Sequence, residues 1–170
     1  KTGLIKIKNF LKYTLTKPLL LITIIAITLA STYMLKPSVN PMTVVLTDKN
    51  NNKTTLKNYI NNKPIIINFW ASWCEHCQNE VSIFNTFYSK HSDIKLITIQ
   101  VDDDYNQAFK KAKYPIFHAP KYGNAMMSSF GNSTGALPYT IFLDENGKVK
   151  EAILGEATLD DLETSLVKIK

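Results

Sequence analysis

Arginine is absent from this 170-residue chain, although its formal charge is +6. The positive charge comes from one end, because residues 1–17 hold five lysines and no acidic residue. Residues 36–170 hold the other 15 lysines against all 14 acidic residues and are therefore close to neutral. Arginine is the side chain best suited to bidentate contacts with phosphates and base edges. The composition therefore argues against nucleic-acid binding.

Cysteine is scarce as well, since the chain contains only Cys74 and Cys77. Two cysteines so close together cannot cross-link distant parts of a fold, and an apolar content of 45% is sufficient for a core without disulfides. No second cysteine pair is present to complete a four-ligand zinc site. Covalent haem attachment requires histidine directly after the second cysteine, where this sequence has Gln78. The pair is therefore not predicted to be a disulfide that stabilises the fold, and no resident metal site is predicted.

One long segment, residues 18–35, contains no charged side chain. As a helix it would span roughly 27 Å, which is close to the thickness of a bilayer core. Lysines that precede such a segment stay in the cytoplasm, so the rest of the chain is expected outside. The predicted organisation is a cytoplasmic basic tail (1–17), a transmembrane signal-anchor (18–35), a linker (36–42) and a folded domain (43–170).

A cleavable signal peptide is the alternative for this segment. Ala30, preceded by Thr28, offers small residues for cleavage. The apolar run continues to Leu35, however, and its length favours an uncleaved anchor. No cysteine stands at its end, which excludes a lipoprotein anchor. Both alternatives place the domain outside the cytosol, where disulfides persist.

Beyond the linker, strand-like and helix-like apolar patterns alternate. Strands are predicted at 43–47, 64–70, 94–101, 115–118, 139–143 and 149–154. Helices are predicted at 75–90, 105–113, 125–130 and 158–168, the last with Thr158 as its N-cap. This order predicts an α/β fold in which helices flank both faces of a mixed central sheet.

Cys74 and Cys77 stand where a predicted strand gives way to a predicted helix. Cys74 would lie at the helix N-terminus, where unpaired N–H groups and the helix dipole stabilise a thiolate. Cys77 lies about one turn further in and is expected to be less exposed. Such a pair exchanges disulfides, because Cys74 attacks and Cys77 resolves the mixed disulfide. The dithiol is itself the redox group, so no cofactor is predicted.

Two segments resemble those of thioredoxin-fold proteins. Residues 68–77, Asn-Phe-Trp-Ala-Ser-Trp-Cys-Glu-His-Cys, resemble the active-site segment, and residues 135–144, Gly-Ala-Leu-Pro-Tyr-Thr-Ile-Phe-Leu-Asp, resemble the cis-proline strand. The 61 positions from Cys77 to Pro138 exceed the spacing of plain thioredoxin, which implies an α-β insertion at about residues 104–122. With the predicted anchor and an acidic residue one turn beyond the second cysteine, the chain is similar to the TlpA/ResA group of envelope thiol-disulfide oxidoreductases.

The resemblance implies a substrate-binding surface. Pro138 would be the cis-proline, and its loop would pack against the disulfide. The backbone of Leu137 would pair with a bound substrate strand. Trp73, next to Cys74, would shape the same surface.

The resemblance also implies a proton acceptor, Glu80. This residue lies three positions beyond Cys77, on the same face of the helix. A partly buried carboxylate has a raised pKa and is able to take the proton from a thiol. Asn68 stands where thioredoxin itself has a buried aspartate, and this departure favours Glu80 as the substitute.

The two residues between the cysteines leave the redox direction open. His76 resembles oxidising members of the superfamily, because a nearby imidazolium stabilises the reduced thiolate. Glu75 adds a negative charge with the opposite effect. Reduction of protein disulfides is the prediction. The alternatives are a disulfide oxidase or isomerase, and a copper- or haem-handling chaperone that uses both thiols as ligands.

Partners and location follow from the resemblance. The clients would be disulfide-containing proteins of the cell envelope, apocytochrome c among them. The catalytic domain would lie on the periplasmic, extracytoplasmic side of the cytoplasmic membrane. A membrane thiol-transfer protein would supply the electrons, because the chain carries no nucleotide-binding signature.

Overall fold

The computed structural model describes four stretches of the chain: residues 18–31, 39–60, 63–104 and 110–169. The chain divides into two compact units, Lys1–Pro37 and Ser38–Lys170. In the first unit, residues 18–31 form a helix, α1, whose side chains are exposed. Within the four described stretches, no helix is both long enough and apolar enough to span a membrane. The predicted basic tail (1–17) and the end of the predicted anchor (32–35) lie outside the described residues.

Strands and helices alternate through the second unit, after a short 3-10 helix at Pro41–Thr43. The elements are, in chain order, β1 (Val45–Asp48), β2 (Lys53–Thr55), α2 (Leu56–Ile60), β3 (Ile65–Trp70), α3 (Glu75–Lys90), β4 (Lys95–Gln100), β5 (Ile116–His118), α4 (Gly123–Ser129), β6 (Tyr139–Leu143), β7 (Val149–Leu154) and α5 (Leu159–Leu166). All six predicted strands and three of the four predicted helices are confirmed. The fourth, predicted at 105–113, falls largely on residues 105–109, which lie outside the described stretches. Strand β2 and helix α2 are additional to the prediction.

The described strands form one seven-stranded mixed sheet in the order β2-β1-β5-β4-β3-β6-β7. Strand β3 is parallel to β4 and antiparallel to β6, so Asn68 is paired with Thr98 on one side and with Thr140 on the other. Every residue of β3 is buried. This burial is what the continuous apolar run predicts for a strand covered on both faces.

Helices cover both faces of the sheet, as predicted. Ile66 of β3 packs in a cluster with Phe84 of α3 and Leu162 of α5. The next residue, Ile67, packs in a second cluster that includes Met126 of α4. Successive strand residues point to opposite faces, so one strand supplies both clusters. Each fully buried side chain of this size contributes about 1.5–3 kcal/mol to folding.

The segment just before β1 belongs to the folded unit. The side chain of Asn40 accepts a hydrogen bond from the amide of Met42 at 3.0 Å and caps the 3-10 helix. Val39 and Met42 pack against the larger core cluster. Residues 39–42, predicted as part of a linker, are therefore ordered against the sheet.

Candidate active site

The two cysteines lie at the junction between β3 and α3. Cys74 is the N-cap residue of α3 and has an extended backbone conformation. Its amide donates to the carbonyl of Ala71 at 3.1 Å, which closes the turn after β3. Cys74 and Cys77 form a disulfide, with Cα atoms 5.3 Å apart. The predicted position of Cys74 at the helix start is confirmed.

The first turn of α3 provides a hydrogen-bond donor to the Cys74 sulfur. Its Sγ accepts a hydrogen bond from the amide of Cys77 at 3.2 Å. The first amides of a helix have no partners within the helix and carry a partial positive charge, so this position favours a thiolate after reduction. Cys74 is 5% exposed and Cys77 is 1% exposed. The predicted order of exposure is therefore confirmed.

The turn that precedes Cys74 is held by hydrogen bonds to Asp102, which follows β4. The amide and hydroxyl of Ser72 both donate to the Asp102 carboxylate. Gln78 of α3 donates to the carbonyl of Ser72 at 3.0 Å. Asp102 was not among the site residues predicted from the sequence. The signal was its place after β4, because parallel strands bring their carboxyl ends to the same edge of a sheet.

Glu80 is buried inside the domain, with 1% of its surface exposed. Its Oε1 accepts a hydrogen bond from the amide of Ala157 at 2.7 Å, and its Oε2 accepts one from Nδ2 of Asn68 at 3.2 Å. Burial raises the pKa of Glu80 to about 7, although these two hydrogen bonds oppose the shift. The carboxyl group therefore changes its charge near neutral pH, while its catalytic role stays a prediction.

Asn68 supports this carboxyl group from the centre of the sheet. The same Nδ2 that donates to Glu80 also donates to Oγ1 of Thr140 at 3.0 Å. Asn68 is itself buried. The residue in the place of thioredoxin's aspartate is thus a hydrogen-bond donor to the neighbouring carboxylate, a contact that the sequence analysis did not predict.

The peptide bond between Leu137 and Pro138 is cis, as the resemblance predicted. Pro138 is buried and Leu137 is partly exposed. Asn132 organises the preceding loop, because its side chain accepts from the amide of Gly135 at 3.0 Å and donates to the carbonyl of Ala136 at 2.8 Å. This loop leads into β6, which pairs with β3.

A groove with a volume of about 390 Å³ lies between this loop and the turn that precedes α3. Its lining includes Trp73, Leu137, Asp102 and Asn124. Trp73 is 72% exposed, although tryptophan is highly buried on average in folded proteins. The structure therefore brings Trp73 and Leu137 to one surface, while their contact with a substrate stays a prediction.

His76 points outward from α3 and pairs with an acid that the sequence analysis missed. Its Nδ1 lies 2.9 Å from Oε2 of Glu156, in the loop between β7 and α5. The hydrogen bond to Glu156 raises the pKa of His76 and lowers the pKa of Glu156. Glu75, in the first turn of α3, is exposed. His76 and Glu156 are 80 positions apart, so no local sequence pattern predicts that they pair.

Metal binding was an alternative for the cysteine pair. Across the described stretches, no three side chains of His, Cys, Asp or Glu are grouped so as to hold a metal ion. The two sulfurs are joined to each other. The expectation that the protein works without a metal or an organic cofactor stays a prediction.

Sequence comparison identifies relatives along most of the chain. The family model described as Redoxin matches residues 34–166. Thiol-disulfide oxidoreductase ResA of Bacillus thuringiensis (strain Al Hakam) is 33% identical over 132 residues, which cover 74% of this chain and 73% of the relative. Thiol-disulfide oxidoreductase ResA of Geobacillus kaustophilus is 29% identical over 133 residues, with 74% of each chain covered.

Solved structures share the fold of this chain. StoA from Bacillus subtilis superposes with a TM-score of 0.58 at 25% identity, over 75% of this chain and 98% of StoA. A thioredoxin-related protein from Neisseria meningitidis serogroup B has a TM-score of 0.63 at 24% identity, over 72% of this chain and 96% of its own, and supports the fold. With a disulfide between Cys74 and Cys77 at the head of α3 and a cis-proline before β6, this chain belongs to the Redoxin family and, within it, to the ResA-type thiol-disulfide oxidoreductases.

Proposed function

We propose that this oxidoreductase works as a reductase of disulfides in cell-envelope proteins. The observation that carries the proposal is the buried carboxyl group of Glu80, whose pKa is raised to about 7. It lies one helical turn beyond Cys77, on the same face of α3. A carboxyl group with such a pKa accepts and releases a proton at neutral pH, which is what a dithiol needs in each cycle.

The reaction runs in two exchanges. The Cys74 thiolate attacks one sulfur of the client disulfide, forms a mixed disulfide and releases the other client sulfur as a thiolate. Cys77 then transfers its proton to Glu80, attacks the sulfur of Cys74 and releases the second client thiolate. The client gains two electrons and, with protons from Glu80 and solvent, two thiols, while Cys74 and Cys77 are oxidised to the disulfide.

The reduction potential of the full chain in detergent tests the direction. We expect a reduction potential of about −270 mV, as for thioredoxin, when the protein is equilibrated against dithiothreitol or glutathione. A reductive role requires that the dithiol give up its electrons to ordinary protein disulfides. A value near about −120 mV, as for a strong oxidant, would contradict reduction.

One observation favours the opposite direction. His76 lies between the cysteines, and its hydrogen bond to Glu156 raises its pKa, so it carries a positive charge more readily. A cation near a thiolate stabilises the reduced form and raises the potential. The second candidate is therefore a disulfide oxidase or isomerase, and the same measurement separates the two.

The position of the catalytic domain relative to the membrane is also part of the proposed function. Residues 18–35 carry no charge and follow five lysines, and this pattern supports a transmembrane anchor after a cytoplasmic tail (1–17). Residues 36–42 would lead to a catalytic domain (43–170) on the periplasmic, extracytoplasmic side of the cytoplasmic membrane. Outside the cytosol, the disulfides that the domain exchanges would persist.

Labelling in intact cells tests the location. After mild reduction, we expect a membrane-impermeant maleimide to modify the cysteines without cell lysis. The matched control is Thr2→Cys in a chain that lacks Cys74 and Cys77, which should be labelled only after lysis. Labelling of the native cysteines that also required lysis would place the domain in the cytosol.

The partners are proposed from the same family membership. Envelope proteins with disulfides would be the clients, and apocytochrome c is one of them. The chain contains no nucleotide-binding signature, so a membrane thiol-transfer protein would return electrons to the Cys74–Cys77 disulfide.

A further inference from the structure

The His76–Glu156 pair joins α3, the helix that begins at the two cysteines, to the loop between β7 and α5. Besides its contact with Nδ1 of His76 at 2.9 Å, Oε2 of Glu156 accepts a hydrogen bond from Nδ2 of Asn79 at 3.3 Å. His76 and Asn79 lie one turn apart on the outer face of α3. Glu156 is thus held by two α3 side chains, and its contact with Nδ1 holds the imidazole of His76, the residue directly before Cys77, in one place.

The titratable groups that act on His76 are all carboxyl groups. Glu156 faces it from the loop between β7 and α5, and Glu75 and Glu80 act on it from α3. Each of them raises the pKa of His76, and the hydrogen bond to Glu156 has the largest effect. Without Glu156, the largest of these effects would be lost, so the pKa of His76 would be lower and its imidazole would carry less positive charge at neutral pH.

We propose that Glu156 is a positioning residue for the redox centre, which holds His76 as an imidazolium beside the dithiol and thereby extends the activation of Cys74 to neutral pH. Glu156 does not touch the sulfurs and acts only through His76. The cation adds to the effect of the α3 N-terminus on the Cys74 thiolate. The inference rests on the part of the proposed function that makes Cys74 the attacking thiol.

The expected size of the effect follows from exposure. The side chain of His76 is 72% exposed and that of Glu156 is 36% exposed, so solvent and salt screen their charges. We therefore expect His76 to increase the reactivity of Cys74 by about two- to fivefold, less than a buried imidazolium would.

The test is a double-mutant cycle on the reduced full chain. The alkylation rate of Cys74 by iodoacetamide, located by mass spectrometry, reports its thiolate at each pH. At pH 7.0, His76→Asn should slow alkylation by about two- to fivefold when Glu156 is present and by a factor at least about 1.5 times smaller in Glu156→Gln. At pH 5.5, the imidazole is charged in either background, so the effect of His76→Asn should differ less between the two backgrounds than at pH 7.0.

The acidic measurement is the internal control. A purely structural role of Glu156 would change the effect of His76→Asn equally at both pH values. An equal effect of His76→Asn with and without Glu156 at pH 7.0 would overturn the proposal, and so would no effect in either background. Failure of the proposed reductive direction would instead show in the potential of the native chain, which these rate ratios do not contain.

Discussion

Replacing Cys77 by serine is expected to stop multiple turnover and to accumulate a mixed disulfide between Cys74 and its client. The chain has no third cysteine that could take over the resolving step. In the native protein that step is intramolecular, and such reactions gain an effective concentration of about 10⁵ M or more. We therefore expect a loss of turnover of at least about a thousandfold. Non-reducing gels and mass spectrometry would reveal the trapped adducts and identify the clients.

Cys74→Ser is the matched control. Cys77 is 1% exposed and lies inside the first turn of α3, so it should not attack a protein disulfide by itself. The variant should show neither turnover nor adducts. Adducts in Cys74→Ser, together with none in Cys77→Ser, would exchange the roles that we assign to the two sulfurs.

The centre of the fold was predictable because its signals are local. The apolar run that became β3 is buried along its whole length, as a covered strand must be. The helical stripe after Cys74 gave α3 with the bounds that the structure shows, Glu75–Lys90. Strand β2 is different, because Lys53–Thr55 is polar and short, and only its pairing with β1 makes it a strand. Helix α2 has five residues, which is too short for a periodic pattern.

The active site likewise combines positions that a local sequence pattern predicts with contacts that no local pattern predicts. The helix fixes the place of Glu80 relative to Cys77, and the spacing of three residues predicts it. The groups that hold the carboxylate come from elsewhere, since Ala157 is 77 positions away and Asn68 reaches it from β3. The pairing of His76 with Glu156 likewise depends on how the β7–α5 loop meets α3. Sequence patterns report periodicity within an element, and contacts between elements depend on the packed sheet.

Glu80→Gln is expected to slow the resolving step by about a hundredfold near neutral pH, within the range of general-base contributions. The pKa of Glu80 is raised to about 7, so the native rate should rise as the carboxyl group ionises through that pH. Glutamine accepts no proton, and the rise should disappear. Stopped-flow measurement of mixed-disulfide resolution between pH 5 and pH 9 gives the profile. Glu145→Gln, an exposed carboxylate in the β6–β7 turn, is the matched control and should leave the profile unchanged.

The same substitution should raise stability, and this separates a proton acceptor from a structural acid. The pKa of Glu80 is higher in the folded oxidised protein than its ordinary value of 4.5, so stability is full below about pH 4.5 and is lost as pH rises through about 7. The loss amounts to about 3 kcal/mol. Glu80→Gln should remove this loss when urea unfolding is followed at pH 5 and pH 8, although its single amide oxygen can accept from only one of the two donors, Ala157 and Asn68. Slower exchange with higher stability at pH 8 supports the acceptor. Lower stability with an unchanged pH–rate profile would leave Glu80 only a structural role.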